Sequence, residues 1–160
     1  VQIGAHTVYP IYRSGSTSLE IAADKVFTNE DIRECRQVDV LIRDPQERFE
    51  SGINEYSRLN NLSVREVLSS VERGELIDRH FAPQYIWLFH LSKYYKGRVT
   101  LRPFTYIKKI TSIHAKKDTD KKIPVRPLKR FIDVDKELIK SVGQTFDLRE
   151  LIMRHRNALS

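Results

Sequence analysis

Cysteine is almost absent, since Cys35 is the only one in 160 residues. A lone thiol excludes an internal disulfide and any cysteine-based zinc cluster, and it suits a reducing compartment. Long apolar runs are missing as well, so no segment reaches the roughly 20 residues that a membrane-spanning helix requires. The sequence as given does not open on a basic region followed by an apolar one, and the expected location is cytoplasmic. No Asp/Glu/His cluster calls for a metal, there is no internal repeat, and no nucleic-acid module is recognisable.

What the chain does have is positive charge. Its 28 Lys and Arg against 21 Asp and Glu leave a net +7. Nucleic acid, an anionic cofactor or an anionic polymer would each give that excess a partner. The length fits one domain with its own hydrophobic core.

The apolar run Thr7 to Tyr12 reads as a short strand, and the residues from Leu19 read as a helix. Between them lies the hydroxyl-rich turn Arg13-Ser14-Gly15-Ser16-Thr17-Ser18. A strand, a tight turn and a helix start make an anion site, because backbone N–H groups at a helix N-terminus lack intrahelical partners. The turn is not the P-loop of nucleoside triphosphatases, which has a second Gly followed by Lys. A nucleotide kinase is disfavoured on that ground.

Val38 to Arg43 reads as a buried strand, and Asp44, Pro45 and Glu47 mark a helix start with Phe49, Ile53 and Tyr56 on one face. Thr28 to Gln37 shows no clear period and stands as a loop or short helix. The order strand, anion loop, helix, strand, helix predicts a single α/β domain with a central, mostly parallel sheet flanked by helices. Arg13 and Arg43 then fall at strand carboxyl ends, where ligands bind in such sheets. Arg48 is assigned to structure, pairing with a carboxylate such as Glu47 or Asp44.

Further on, Ser63 and Glu66 form a capping box for a helix that stops at Gly74. Tyr85 to Leu91 is uniformly apolar and aromatic and is expected to be a strand, as is Arg98 to Phe104, with an edge at Pro103. From His114 to Arg130 the chain is basic and reads as a solvated loop. Asp133 and Asp147 are the expected N-caps of two C-terminal helices, reaching about Val142 and about Ala158.

Three of these elements resemble a known family. Arg13-Ser14-Gly15-Ser16-Thr17 is similar to the phosphosulfate-binding loop of sulfotransferases, with Tyr12 where Pro is usual. Arg43-Asp44-Pro45-Gln46-Glu47-Arg48-Phe49-Glu50-Ser51 resembles the Arg-Asp-Pro-x-x-Arg-x-x-Ser element of the carbohydrate-type, Golgi-like branch. His80-Phe81-Ala82-Pro83-Gln84 resembles its His-Trp/Phe-x-Pro-Gln element. The resemblance covers residues 7 to 107 and implies a P-loop-like sulfotransferase fold.

It also implies a donor, 3′-phosphoadenosine 5′-phosphosulfate (PAPS), and a product, adenosine 3′,5′-bisphosphate (PAP), with no metal. Arg13, Ser14, Gly15, Ser16, Thr17 and Ser18 would hold the 5′-phosphosulfate, and Arg43 and Ser51 the 3′-phosphate. Arg13 and His80 would be catalytic, with Glu20 and Glu55 as other candidate bases. Arg79, Phe81 and Gln84 are the candidate acceptor contacts. The acceptor would be a small molecule or carbohydrate bearing a hydroxyl or amine, with no nucleic-acid or membrane partner. Ser18 stands where many cytosolic members carry Trp, and their late Gly-rich basic motif is absent. The other reading is a basic nucleic-acid-binding domain without catalysis, using the Lys-rich segment as its contact surface.

Overall fold

The computed structural model of the chain describes residues 1–111 and 122–159. Its centre is a five-stranded mixed sheet in the order β1 (Gln2–Ile3), β2 (His6–Tyr9), β3 (Gln37–Ile42), β4 (Arg98–Pro103) and β5 (Thr145–Asp147). The three inner strands run parallel, with Val8 opposite Asp39 and Val38 opposite Val99. Both outer strands are antiparallel, so the sheet is parallel only at its core. β5 pairs only with Arg98 to Thr100, which leaves Pro103 beyond its reach on that side. A residue without an N–H is tolerated there.

The helices are α1 (Ser16–Ala22), α2 (Asn29–Arg33), α3 (Pro45–Asn60), α4 (Val64–Glu72), α5 (Gln84–Ser92), α6 (Ile107–Ile110), α7 (Lys129–Lys140) and α8 (Leu148–Leu159). Alternation along β3 divides the core. Val38, Val40 and Ile42 face one side with Leu88 of α5, Leu138 of α7 and Leu151 of α8. Leu41 faces the other with Val8, Leu19 and Ile107. A third cluster, with Phe49, Ile53, Val67, Phe81 and Phe131, joins α3, α4 and α7 beside the sheet. Burying each such side chain contributes about 1.5–3 kcal/mol.

Local signals explain several boundaries. The Asp44 carboxylate accepts from the Glu47 N–H at 2.9 Å with Pro45 in the first turn of α3, and Ser63 with Glu66 closes the expected box on α4. Thr28 and Asp31 form another at the start of α2. Asp147 accepts from the N–H groups of Arg149 and Glu150, as a cap of α8 should.

Five expectations are corrected. Tyr85 to Leu91 is helix, not strand. Its head is stabilised from afar: the Asp135 carboxylate accepts from the N–H groups of Gln84 and Tyr85 at 2.7 and 2.9 Å. Asp133 does not cap its helix but lies a turn inside α7, paired with Lys136 at 2.8 Å. The helix starts earlier because Phe131 and Ile132 already belong to its buried face. α1 begins at Ser16 instead of Leu19, and β2 ends at Tyr9 instead of Tyr12. Finally, Arg48 is structural but has other partners. It is 2% exposed and donates to the carbonyls of Tyr12, Ala82 and Arg79.

Among the described residues no helix is long and apolar enough to cross a membrane. His114, Lys116, Lys117 and Lys121 lie outside the described residues.

Candidate functional site

β2 and β3 are hydrogen-bonded neighbours, so the segments leaving their carboxyl ends emerge side by side. After β2 the chain makes a turn closed by the Ser14 N–H on the Ile11 carbonyl at 3.0 Å. Arg13 is the third residue of that turn, at φ 64. Such a backbone costs an L-residue roughly 1–2 kcal/mol, so the fold holds Arg13 there against its own preference. Gly15 follows at φ 84, and a Cβ on it would stand 2.8 Å from Ile107 Cδ1.

The Arg13 side chain crosses to α3, where Nε donates to Ser51 Oγ at 2.8 Å. Arg43 comes back the other way, with Nη1 donating to the Arg13 carbonyl at 3.0 Å. Its guanidinium lies 5.2 Å from the centre of the Phe104 ring, and the same ring packs against Gly15. Among the described residues, two carboxylates stand near these cations at longer range. Glu47 is 3.7 Å from Arg43 and Glu55 is 3.9 Å from Arg13. At those separations the two ion pairs are loose.

Gln84 holds the site together from below. It is fully buried. Its Oε1 accepts from the Arg43 N–H at 2.9 Å and from the Ser14 hydroxyl at 3.2 Å, while Nε2 donates to the Arg43 carbonyl at 2.9 Å. One carboxamide therefore ties the strand end after β3 to the turn after β2. Burial pulls Arg48 down to about 10, Asp135 opposing it and the neighbouring Arg43 and Arg13 charges adding to it. The Asp135 carboxyl is pushed up by burial, against the N–H bonds from Gln84 and Tyr85 and the Arg48 charge.

His80 stands at the edge of this cluster. Its Nδ1 lies 2.5 Å from Asp78 Oδ1, and its ring centre 5.4 Å from that of Tyr12. A carboxylate on Nδ1 selects the Nδ1–H tautomer and leaves Nε2 as a proton acceptor. The chain at His80 is pressed onto α3 at Gly52. A Cβ there would sit 2.2 Å from the His80 carbonyl oxygen.

The other sequence candidates divide. Ser14, Ser16 and Ser18 are buried and Thr17 is exposed. Arg79 is exposed and stacks on Tyr12 at 4.9 Å. Phe81 is 1% exposed within the aromatic cluster of Phe49, Tyr56 and Phe131, so it packs instead of reaching a ligand. Gln84 is equally internal and acts on Arg43. Glu55 is lowered first by the Arg58 hydrogen bond, then by the charges of Arg13, Arg58 and His80, which makes it a poor proton acceptor. Glu20 is exposed on α1.

Beside the cluster a groove of about 450 Å3 opens between Tyr9, Ile77, Asp78, Arg79, Trp87 and His90. Tyr12 touches both sides, its ring 5.1 Å from that of Trp87. Sequence reasoning missed Asp78 and Asp135. The Asp-x-His spacing before His80 was a usable signal for the first. The second acts across 51 residues and leaves no local trace.

Among the described residues no group of three His, Cys, Asp or Glu is arranged to hold a metal ion. Compared with protein families, with curated proteins and with solved structures, the chain matches none.

Proposed function

We propose that this chain is a sulfotransferase that moves a sulfuryl group from PAPS to a hydroxyl or amine of an acceptor, a carbohydrate being one candidate. The observation that carries the reading is the meeting of Arg13, Arg43 and Ser51 at the carboxyl ends of two adjacent parallel strands. These are the residues that the two resembling elements would assign to the 5′-phosphosulfate and the 3′-phosphate. Each element on its own is a short motif, whereas their joining by hydrogen bonds is a relation in space.

The residues fit a doubly phosphorylated nucleotide. Two guanidiniums present forked donors that match phosphate oxygens. Ser51 is buried under Arg13, so a phosphate oxygen would enter by taking over the Arg13 Nε bond. Bound there, the donor would supply a sulfuryl group on a phosphate leaving group, and charge would build on that phosphate during transfer. Arg13, fixed by its turn, would stabilise that charge by hydrogen bonds and field without surrendering a proton. His80, oriented through Asp78, would take the proton from the acceptor hydroxyl or amine at Nε2. The adjoining groove, with Trp87 and Tyr9 on its wall, is the entry for the acceptor.

Titration calorimetry with adenosine 3′,5′-bisphosphate beside adenosine 5′-monophosphate tests the reading. Binding that needs the 3′-phosphate and falls at least tenfold in Arg43→Ala supports it. Equal, weak and salt-sensitive binding of both nucleotides would sink it and favour a nucleic-acid contact surface instead.

A further inference from the structure

At the opposite end of the sheet, where β3 and β4 begin, a second pocket of about 480 Å3 is lined by Arg33, Arg36, Lys93 and Lys96 together with Cys35 and Tyr94. Four elements deliver the cations: the last turn of α2, the link into β3, the end of α5 and the turn before β4. Among the described residues no carboxylate lines the pocket.

Elsewhere basic side chains have acidic partners, such as Arg73 with Glu75, Arg102 with Asp39 and Lys140 with Glu137. Among the described residues none of these four is within ion-pair distance of a carboxylate. Asp147, opposite Arg98 at the start of β4, is engaged by the N–H groups of Arg149 and Glu150. Arg33 is held by Nε donating to the Tyr94 carbonyl at 3.3 Å, and Lys93 lies 5.5 Å from the centre of the Phe89 ring. All four cations are exposed, so like charges gather around one concavity with neither burial nor a counter-charge to explain the gathering. Clefts lined by one sign of charge concentrate counter-ions of the other.

We propose that this pocket is a second anion site, separate from the Arg13–Arg43 cluster, which takes a compact ligand bearing several phosphate or sulfate groups. The number of cations sets the class. A single phosphate dianion would neutralise half of four charges carried on separate stems, whereas a ligand with two or three such groups meets them all. The forked guanidiniums of Arg33 and Arg36 suit oxyanions, and the two ammonium groups add point charge. The concavity suits a compact polyanion better than an extended nucleic-acid strand, because among the described residues the only aromatic side chain on its wall is the half-buried Tyr94.

Cys35 is a built-in reporter, being the single cysteine of the chain and part of the pocket lining. Its alkylation by iodoacetamide is followed with inorganic tripolyphosphate, with a trisulfated disaccharide, or with sodium chloride at matched ionic strength. Calorimetry runs alongside. At least a fivefold slowing by either polyanion is expected, retained in Arg43→Ala and lost in the double variant Lys93→Gln/Lys96→Gln. The stronger of the two ligands then tells a phosphate source from a sulfate one. Arg36→Gln, a single exposed change, serves where the double variant does not fold and should weaken protection at least threefold. Absence of protection by either polyanion, protection that survives the glutamine variants, or the same slowing by sodium chloride would overturn the proposal. Because Arg43→Ala is included, failure of this site and failure of the nucleotide reading give different results.

Discussion

Arg13 Nε donates to Ser51 Oγ at 2.8 Å, so a residue in the turn after β2 and one nearly two turns into α3 share one hydrogen bond across 38 positions of sequence. Removing the hydroxyl separates binding from folding. Ser51→Ala should change stability by less than about 1 kcal/mol, since the partly exposed Arg13 side chain can turn to water, yet on the proposed reading it should weaken adenosine 3′,5′-bisphosphate about tenfold. Calorimetry with urea denaturation checks both, and an unchanged affinity would remove Ser51 from the site.

Gly52 is fixed by contact, not by turn geometry. A methyl group there would meet the His80 carbonyl oxygen at 2.2 Å and Phe81 Cα at 2.9 Å, both backbone atoms. Gly52→Ala should therefore cost about 2–4 kcal/mol, at the upper end for overpacking, since the loop must be pushed off the helix. Chemical denaturation measures the loss. The His80 ring should also shift relative to Tyr12, visible as a change in its NMR resonances.

Gln84→Leu keeps the volume and removes the bonds. Arg43 would lose the partners of both its backbone N–H and its carbonyl, and Ser14 its acceptor. A loss of about 2–4 kcal/mol is expected for buried groups left unsatisfied. A change below about 0.5 kcal/mol in denaturation midpoint analysis would show that water replaces the carboxamide.

His155 is 2% exposed, and neither ring nitrogen has a hydrogen-bond partner among the described residues. Burial lowers its pKa below the ordinary 6.5, with Glu137 opposing. Below pH 6.5 the unfolded chain therefore binds a proton that the folded chain refuses, so stability should fall as pH drops from 7 and be regained as it rises. His155→Leu should flatten that slope between pH 7 and 5.5 and raise stability at pH 7 by about 1 kcal/mol. Thermal melts across that range decide it.

Arg48→Lys replaces a fork that serves three carbonyls with a single ammonium group. A buried charge with two acceptors left over should cost about 3 kcal/mol. The melting temperature measures it.

Much of the fold was legible because its signals were local. Asp44-Pro45, the Ser63–Glu66 box and Asp147 cap their own helices with atoms two or three residues away, and the β-branched run of β3 fits its burial. The helix at Tyr85 was not legible, because its N-terminal N–H groups are satisfied by Asp135 instead of by a nearby side chain. Asp133 misled for a related reason: an acidic residue one turn into a helix pairs with lysines as readily as it caps. At the candidate site, Arg13 and Arg43 were placed by the strands they follow, and Ser51 by the resemblance of its segment to the sulfotransferase element. Gln84 was read as a ligand contact, since a polar side chain turned wholly inward cannot be told from one turned outward without knowing what surrounds it.

The bond from Asp135 to the head of α5 has a bearing on synthesis. A growing chain exposes Arg13, Arg43, Ser51 and Gln84 well before residue 135 leaves the ribosome. Until then α5 has no anchor at its first turn, and the carboxamide of Gln84 is not yet locked between the two arginine-bearing segments. Non-local contacts of this length form late. The nascent protein should thus lock the Arg13 and Arg43 segments together only after residue 135 has emerged, well after both segments have been made.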